Sequence, residues 1–131
     1  MQQVILEEFP KADISVNIVW VNVLTGDGMD AARRAADHMT ADPRVRHFYD
    51  PGNRSGQAIS RSLGWKWVTA WDIYLFYEKG AEWRAELPTP THWMHQLSYL
   101  FWESHLRTGE RLVGELRTTM SKLTAEAESA R

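Results

Sequence analysis

The chain contains no cysteine in its 131 residues. This excludes disulfides, thiolate metal sites and a cysteine nucleophile, because in each of these the sulfur is the bonding or attacking atom. It leaves the compartment open. Charge of one sign is also scarce: fifteen Lys and Arg stand against seventeen Asp and Glu, a net charge of −2. The balance is local as well. Residues 1–50 carry five basic and eight acidic side chains, residues 51–107 six and five, and residues 108–131 four and four. With no basic stripe, neither nucleic acid nor an anionic membrane surface is expected as a partner. No apolar run reaches the roughly 18 residues that a membrane span needs. The opening MQQVILEEFPKAD lacks the basic start and long apolar stretch of a signal peptide, so a cytoplasmic location is expected.

What the chain has is the composition of an ordinary globular protein, 44% hydrophobic and 24% charged, at a length that suits one core. The pattern along it alternates strand and helix. Residues 2–9 read as a short helix stopped by Pro10, since proline cannot continue a helix. Residues 14–24, ISVNIVWVNVL, are apolar on both faces and read as a strand buried inside an α/β sheet. After the turn Thr25-Gly26-Asp27-Gly28, a helix is expected over 30–39, with Ala31, Ala32, Ala35, Ala36 and Met39 inward and Arg33, Arg34 and Asp37 outward. Residues 45–49 read as a short strand closed by Asp50-Pro51-Gly52, and 55–63 as a helix stopped by Gly64. Residues 71–77, WDIYLFY, form the second strong strand. Lys79-Gly80 turns the chain, and 81–84 is expected to return antiparallel. A stiff connector, Leu87-Pro88-Thr89-Pro90, precedes a long helix expected from His92 onward with Thr91 as its cap.

Three stretches, VNIVWVNVL at 16–24, HFYDPGNRSGQAISRSLG at 47–64 and AWDIYLFYEKGAEW at 70–83, resemble the thioredoxin-like superfamily, in its thiol–disulfide oxidoreductase and peroxiredoxin-like branches. The resemblance covers roughly residues 2–97. It implies an α/β domain with a mixed sheet flanked by helices over 1–105, followed by a C-terminal helical extension over 106–131. Three family features are missing: the first strand, the Cys-x-x-Cys, and the cis-proline before the strand at 72–77, where the chain has Val68-Thr69-Ala70-Trp71. Placed on the family's order, the chain opens late in the first helix, so the domain is expected to be N-terminally incomplete. The implied function is a binding or assembly module without redox chemistry. The alternatives are a truncated thiol–disulfide oxidoreductase and a metal-dependent enzyme.

The candidate sites follow from residue type and spacing. His92 and His95 would share a helix face at i and i+3 and could hold a metal ion. A third ligand is not in reach on that helix, so no metal or other cofactor is expected. No Ser/His/Asp motif and no other catalytic residue is recognisable. Asp50, with Arg54 at a helix start, could cap that helix or help bind an anion, and Asp72 is a candidate buried carboxylate within its strand. Trp65, Trp67, Trp71, Trp83, Trp93 and Trp102 crowd the second half, either as core filling or as a contact surface, since an indole offers large area with one polar handle. Trp65 and Trp67, in a loop after Gly64, are the strongest contact candidates, with Trp71, His92 and His95 beside them. Leu106, Gly109, Val113, Leu116, Met120 and Leu123 are spaced 3, 4, 3, 4, 3, a heptad seam. It could pack on its own domain or pair with a second copy. A homodimer or another protein partner is therefore expected.

Overall fold

The structure, a computed structural model, describes residues 1–99 and 103–129. It is mixed α/β with two small sheets and a long C-terminal helix. Two compact units are distinguished. Unit 1 comprises Met1–Asp13, Asp72–Trp83 and Pro88–Arg131, and unit 2 comprises Ile14–Trp71 and Arg84–Leu87.

Unit 2 is built on β1 (Val16–Val21), α1 (Met29–Asp37), β2 (Val45–Asp50) and α2 (Arg54–Ser62). β1 and β2 pair in parallel, from Val16 opposite Val45 to Val21 opposite Asp50. A parallel pair needs a crossover, and α1 supplies it. Ala32 is buried, Ala31, Ala35, Ala36 and Met39 are half-buried, and Arg33, Arg34 and Asp37 face solvent, the division expected from the spacing. The strands are shorter than the apolar run suggests because the loop at 22–28 takes over Val23 and Leu24. Their backbone N–H groups donate to the Asp27 carboxylate at 2.9 and 2.6 Å.

Beyond the strand ends, the Asn53 amide continues the ladder. Its Oδ1 accepts from the Asn22 N–H at 2.7 Å and its Nδ2 donates to the Asn22 carbonyl at 2.8 Å. Asn53 adopts φ +55° to do so, a left-handed conformation that asparagine tolerates better than most residues. The Asp50 carboxylate accepts from Ser55 N–H and Oγ–H, both at 2.7 Å. It therefore caps the first turn of α2 by satisfying the Ser55 amide. Burial raises the Asp50 pKa, but the bonds from Ser55 and Gly52 outweigh that and hold it below the ordinary value.

α2 ends in a Schellman motif. Gly64 takes φ +73° and donates to the Arg61 carbonyl at 3.1 Å, and Trp65 donates to the Ser60 carbonyl at 2.8 Å.

Unit 1 starts with a π-helix (Gln2–Glu7) that buries Val4, Ile5 and Leu6. It continues with β3 (Ile73–Phe76), β4 (His92–His95), a 3-10 turn (Glu103–His105) and α3 (Gly109–Ser129). α3 packs on the π-helix, buries Leu112, Leu116, Thr119 and Met120, and ties back through Arg117, whose guanidinium donates to both Glu8 carboxylate oxygens at 2.6 Å.

Four expectations change here. Residues 92–95 form a strand rather than the start of a helix, antiparallel to β3 with Phe76 opposite His92 and Ile73 opposite His95. This strand takes the hairpin role expected of 81–84, which have no regular structure. The reason is long-range. Thr91 N–H donates to the Phe76 carbonyl and Gln96 N–H to the Asp72 carbonyl, so both ends of β4 are fixed by the chain around β3. Asp72 is exposed and precedes β3 at φ +47°, where its carboxylate accepts from Gln96 Nε2 at 2.7 Å. It is not a buried strand carboxylate. The long helix begins only at Gly109, after Leu106 has bridged to His95. After Pro10 the order of elements is strand, helix, strand, helix, strand, strand, long helix.

Candidate functional site

The segment leaving α2 is fastened at two points. The Schellman turn directs Trp65 inward, where it is 3% exposed. Five residues on, Ala70 is equally buried and its N–H donates to the Gly56 carbonyl at 3.1 Å. A Cβ on Gly56 would stand 2.5 Å from the Ala70 carbonyl oxygen and 2.7 Å from Thr69 Cγ2. Only the absence of a side chain lets the segment lie this close to α2.

Between these anchors Trp67 stands fully in solvent, at 101% of its reference exposure, with φ +64°. A left-handed conformation costs a side-chain-bearing residue about 1–2 kcal/mol. An indole left in water forgoes burial of roughly 200 Å², worth about 5 kcal/mol at 25 cal/mol per Å². The fold thus holds an apolar side chain outward at a cost. Lys66 beside it in the chain and Arg61 in the last turn of α2 are exposed as well. The two loop tryptophans therefore part company, Trp65 into the core and Trp67 to the surface, while Trp71 is half-buried. Trp102 lies outside the described residues.

His92 and His95 belong to unit 1 and do not converge. Odd separation on a strand puts them on opposite faces. His95 is fully buried, and its Nδ1 accepts from the Leu97 N–H at 3.1 Å. Among the described residues no group of three or more His, Asp or Glu is placed to hold a metal ion.

His92 instead meets two residues that local spacing does not reveal. Its Nε2 lies 2.9 Å from Glu115 Oε1, and Arg107 Nε donates to Glu115 Oε2. The Arg107 guanidinium also donates to the carbonyls of Ser104 and Leu106 at 2.8 and 3.0 Å. Burial pushes the Glu115 carboxyl up, but the bonds and charges of Arg107 and His92 prevail and hold it below its ordinary value. Glu115 is thus an ionised carboxylate clamped between a cation and an imidazole.

A cleft of about 570 Å³ opens beside this cluster, with Arg111, Gly114, Thr118 and Lys122 of α3 along it. These four and Glu115 follow the i, i+3, i+4 rhythm of one helix face. Gly114 is the odd member. A mid-helix glycine costs about 1 kcal/mol relative to alanine, and nothing among the described residues lies within 4 Å of the Cβ it lacks. No packing constraint requires it.

The seam residues are divided. Leu116 and Met120 are 1% and 3% exposed within the chain, Val113 faces solvent, Leu123 is half-buried, and Leu106 lies before the helix. Comparison with protein families, with curated proteins and with solved structures finds no match. Among the described residues no helix is long and apolar enough to cross a membrane.

Proposed function

We propose that the chain is a non-catalytic protein-binding or assembly module of thioredoxin-like build, with Trp67 as the anchor of its contact surface. The carrying observation is the fully exposed indole at φ +64° between two buried anchors, Trp65 and Ala70. Tryptophans of this kind dominate protein interfaces because they bring area that needs little further ordering. The order of elements after Pro10 supports the thioredoxin-like reading, and the lack of cysteine removes that family's thiol chemistry from this chain.

A second copy is the partner to test first. Unit 2 also exposes Leu24, Met29 and Phe48, so the chain carries both an indole and apolar surface to receive it. Pairing through α3 is disfavoured as the route, since Leu116 and Met120 are already buried in unit 1. The test is sedimentation of the unmutated chain and of Trp67→Ser at tens of micromolar, with circular dichroism as the control for folding. The expected result is a dimer for the unmutated chain and a monomer for a fully folded Trp67→Ser. Equal masses for the two would overturn the reading.

A further inference from the structure

We propose that the cleft beside α3 binds a small organic carboxylate, held by Arg111 and lying over Gly114. This goes beyond the contact surface at Trp67 and rests on different residues in unit 1.

The first observation is electrostatic. The charged residues lining the cleft are mostly paired: Arg107 with Glu115 and Lys122 with Glu126. Arg111 makes no ion pair or hydrogen bond among the described residues. Its guanidinium is exposed at the rim, and a planar fork of donors matches a carboxylate through two parallel bonds. The Glu115 carboxylate is turned to Arg107 and His92 and makes no bond to Arg111 among the described residues.

The second observation is steric. Gly114 sits one helical turn beyond Arg111 in the cleft wall, and the space where its side chain would stand is empty. A helix interior favours alanine there, and no atom of the described residues forbids it. A ligand body resting on bare backbone would. Leu123 lines the same cleft beside Thr118 and Thr119 and offers this body an apolar contact, and the volume falls within the range of small-molecule sites. With Arg107 and Lys122 paired to acidic residues, Arg111 is the lining cation left without an acidic partner among the described residues, and one such guanidinium suits a monoanion with a compact ring or chain.

Benzoate is the probe, with benzyl alcohol as the uncharged ring and inorganic phosphate as the competing anion. Binding is followed by amide chemical shifts across 109–123. Benzoate should saturate with a dissociation constant of about 10 mM, as befits a ligand of its size, and shift the Arg111 and Gly114 amides most. Benzyl alcohol should bind at least about tenfold more weakly, and Arg111→Gln should lose a similar factor for benzoate. Gly114→Ala is the decisive variant. It should raise the melting temperature by about 3 °C and yet weaken benzoate severalfold, a combination that a merely structural glycine cannot give. The proposal is overturned if benzoate and benzyl alcohol shift these amides alike, if phosphate shifts them more strongly than benzoate, or if a stabilised Gly114→Ala binds benzoate unchanged.

Discussion

Ala70 closes on Gly56 twice over: its N–H donates to the Gly56 carbonyl at 3.1 Å, and its own carbonyl oxygen lies 2.5 Å from the place a Gly56 Cβ would take. The obstacle to any side chain at 56 is therefore main chain, which cannot swing aside as a long side chain can. Gly56→Ala would gain about 1 kcal/mol of helix propensity, but overpacking of this kind costs about 1–3 kcal/mol and the shift it forces falls on the whole 65–70 segment. We expect a net loss of about 1 kcal/mol in urea unfolding. Trp65, now 3% exposed, should become quenchable by iodide. A stability equal to or above that of the unmutated chain would show that the segment is not braced at this point.

Asn53 tests whether the loop after β2 is held by side chain or by conformation. Its amide makes both bonds to the Asn22 backbone, and its φ is +55°. Asn53→Ala loses the bonds and keeps the strain; Asn53→Gly loses the bonds and relieves the strain. The two should differ by about 1 kcal/mol, with glycine the milder, and each should fall below the unmutated chain by about 1 kcal/mol or more. If alanine proves the milder of the two, the left-handed conformation is not what the unmutated chain adopts.

The sequence carries its local elements well and its long-range pairings poorly. β1, α1, β2, α2 and β3 announce themselves because each has its own period and its own stop, down to Gly64 closing α2. β4 does not. His92-Trp93-Met94-His95 begins a run of bulky residues with no clear period of two, and what makes it a strand is the ladder to Ile73–Phe76, some twenty residues back. Read as helix, it places His92 and His95 on one face and makes Leu106 the start of a seam, whereas the helix begins only at Gly109. Trp65 and Trp67 were legible as a pair. Which of them is buried depends on the cap at Gly64, a matter of backbone geometry. The cluster of His92, Arg107 and Glu115 had no local signal, since it joins a strand, a loop and a helix.

That cluster gives the stability of unit 1 a defined acid limb. Glu115 titrates below its ordinary 4.5 in the folded chain because the bonds and charges of Arg107 and His92 outweigh its burial. A depressed carboxylate contributes stability that is fully present above its unfolded pKa and is lost as pH falls through the folded value. Glu115→Gln should therefore cost about 1–2 kcal/mol near neutral pH. The difference between the two proteins should shrink as pH drops below 4.5 and vanish once Glu115 is protonated in the folded state. Paired urea titrations across this range check it. A difference that does not change with pH would mean that Gln is disfavoured by shape alone.

Leu116 and Val113 lie on one helix in opposite situations, the first 1% exposed and the second 37%. If α3 paired with a second copy along the spacing of its apolar residues, both would be covered in the assembly and a charge at either would dissociate it. Packing of α3 on the N-terminal π-helix within the chain predicts otherwise. Leu116→Ala removes a filled core position and should cost about 3 kcal/mol. Leu116→Glu would bury a carboxylate with no partner and should unfold unit 1 rather than yield a folded monomer. Val113→Glu should change stability by no more than about 0.5 kcal/mol, as surface substitutions do, and leave the sedimentation coefficient where it was. Circular dichroism and sedimentation on the three variants decide between the arrangements. A folded, dissociated Leu116→Glu together with a dissociated Val113→Glu would restore helix pairing and displace Trp67 as the contact.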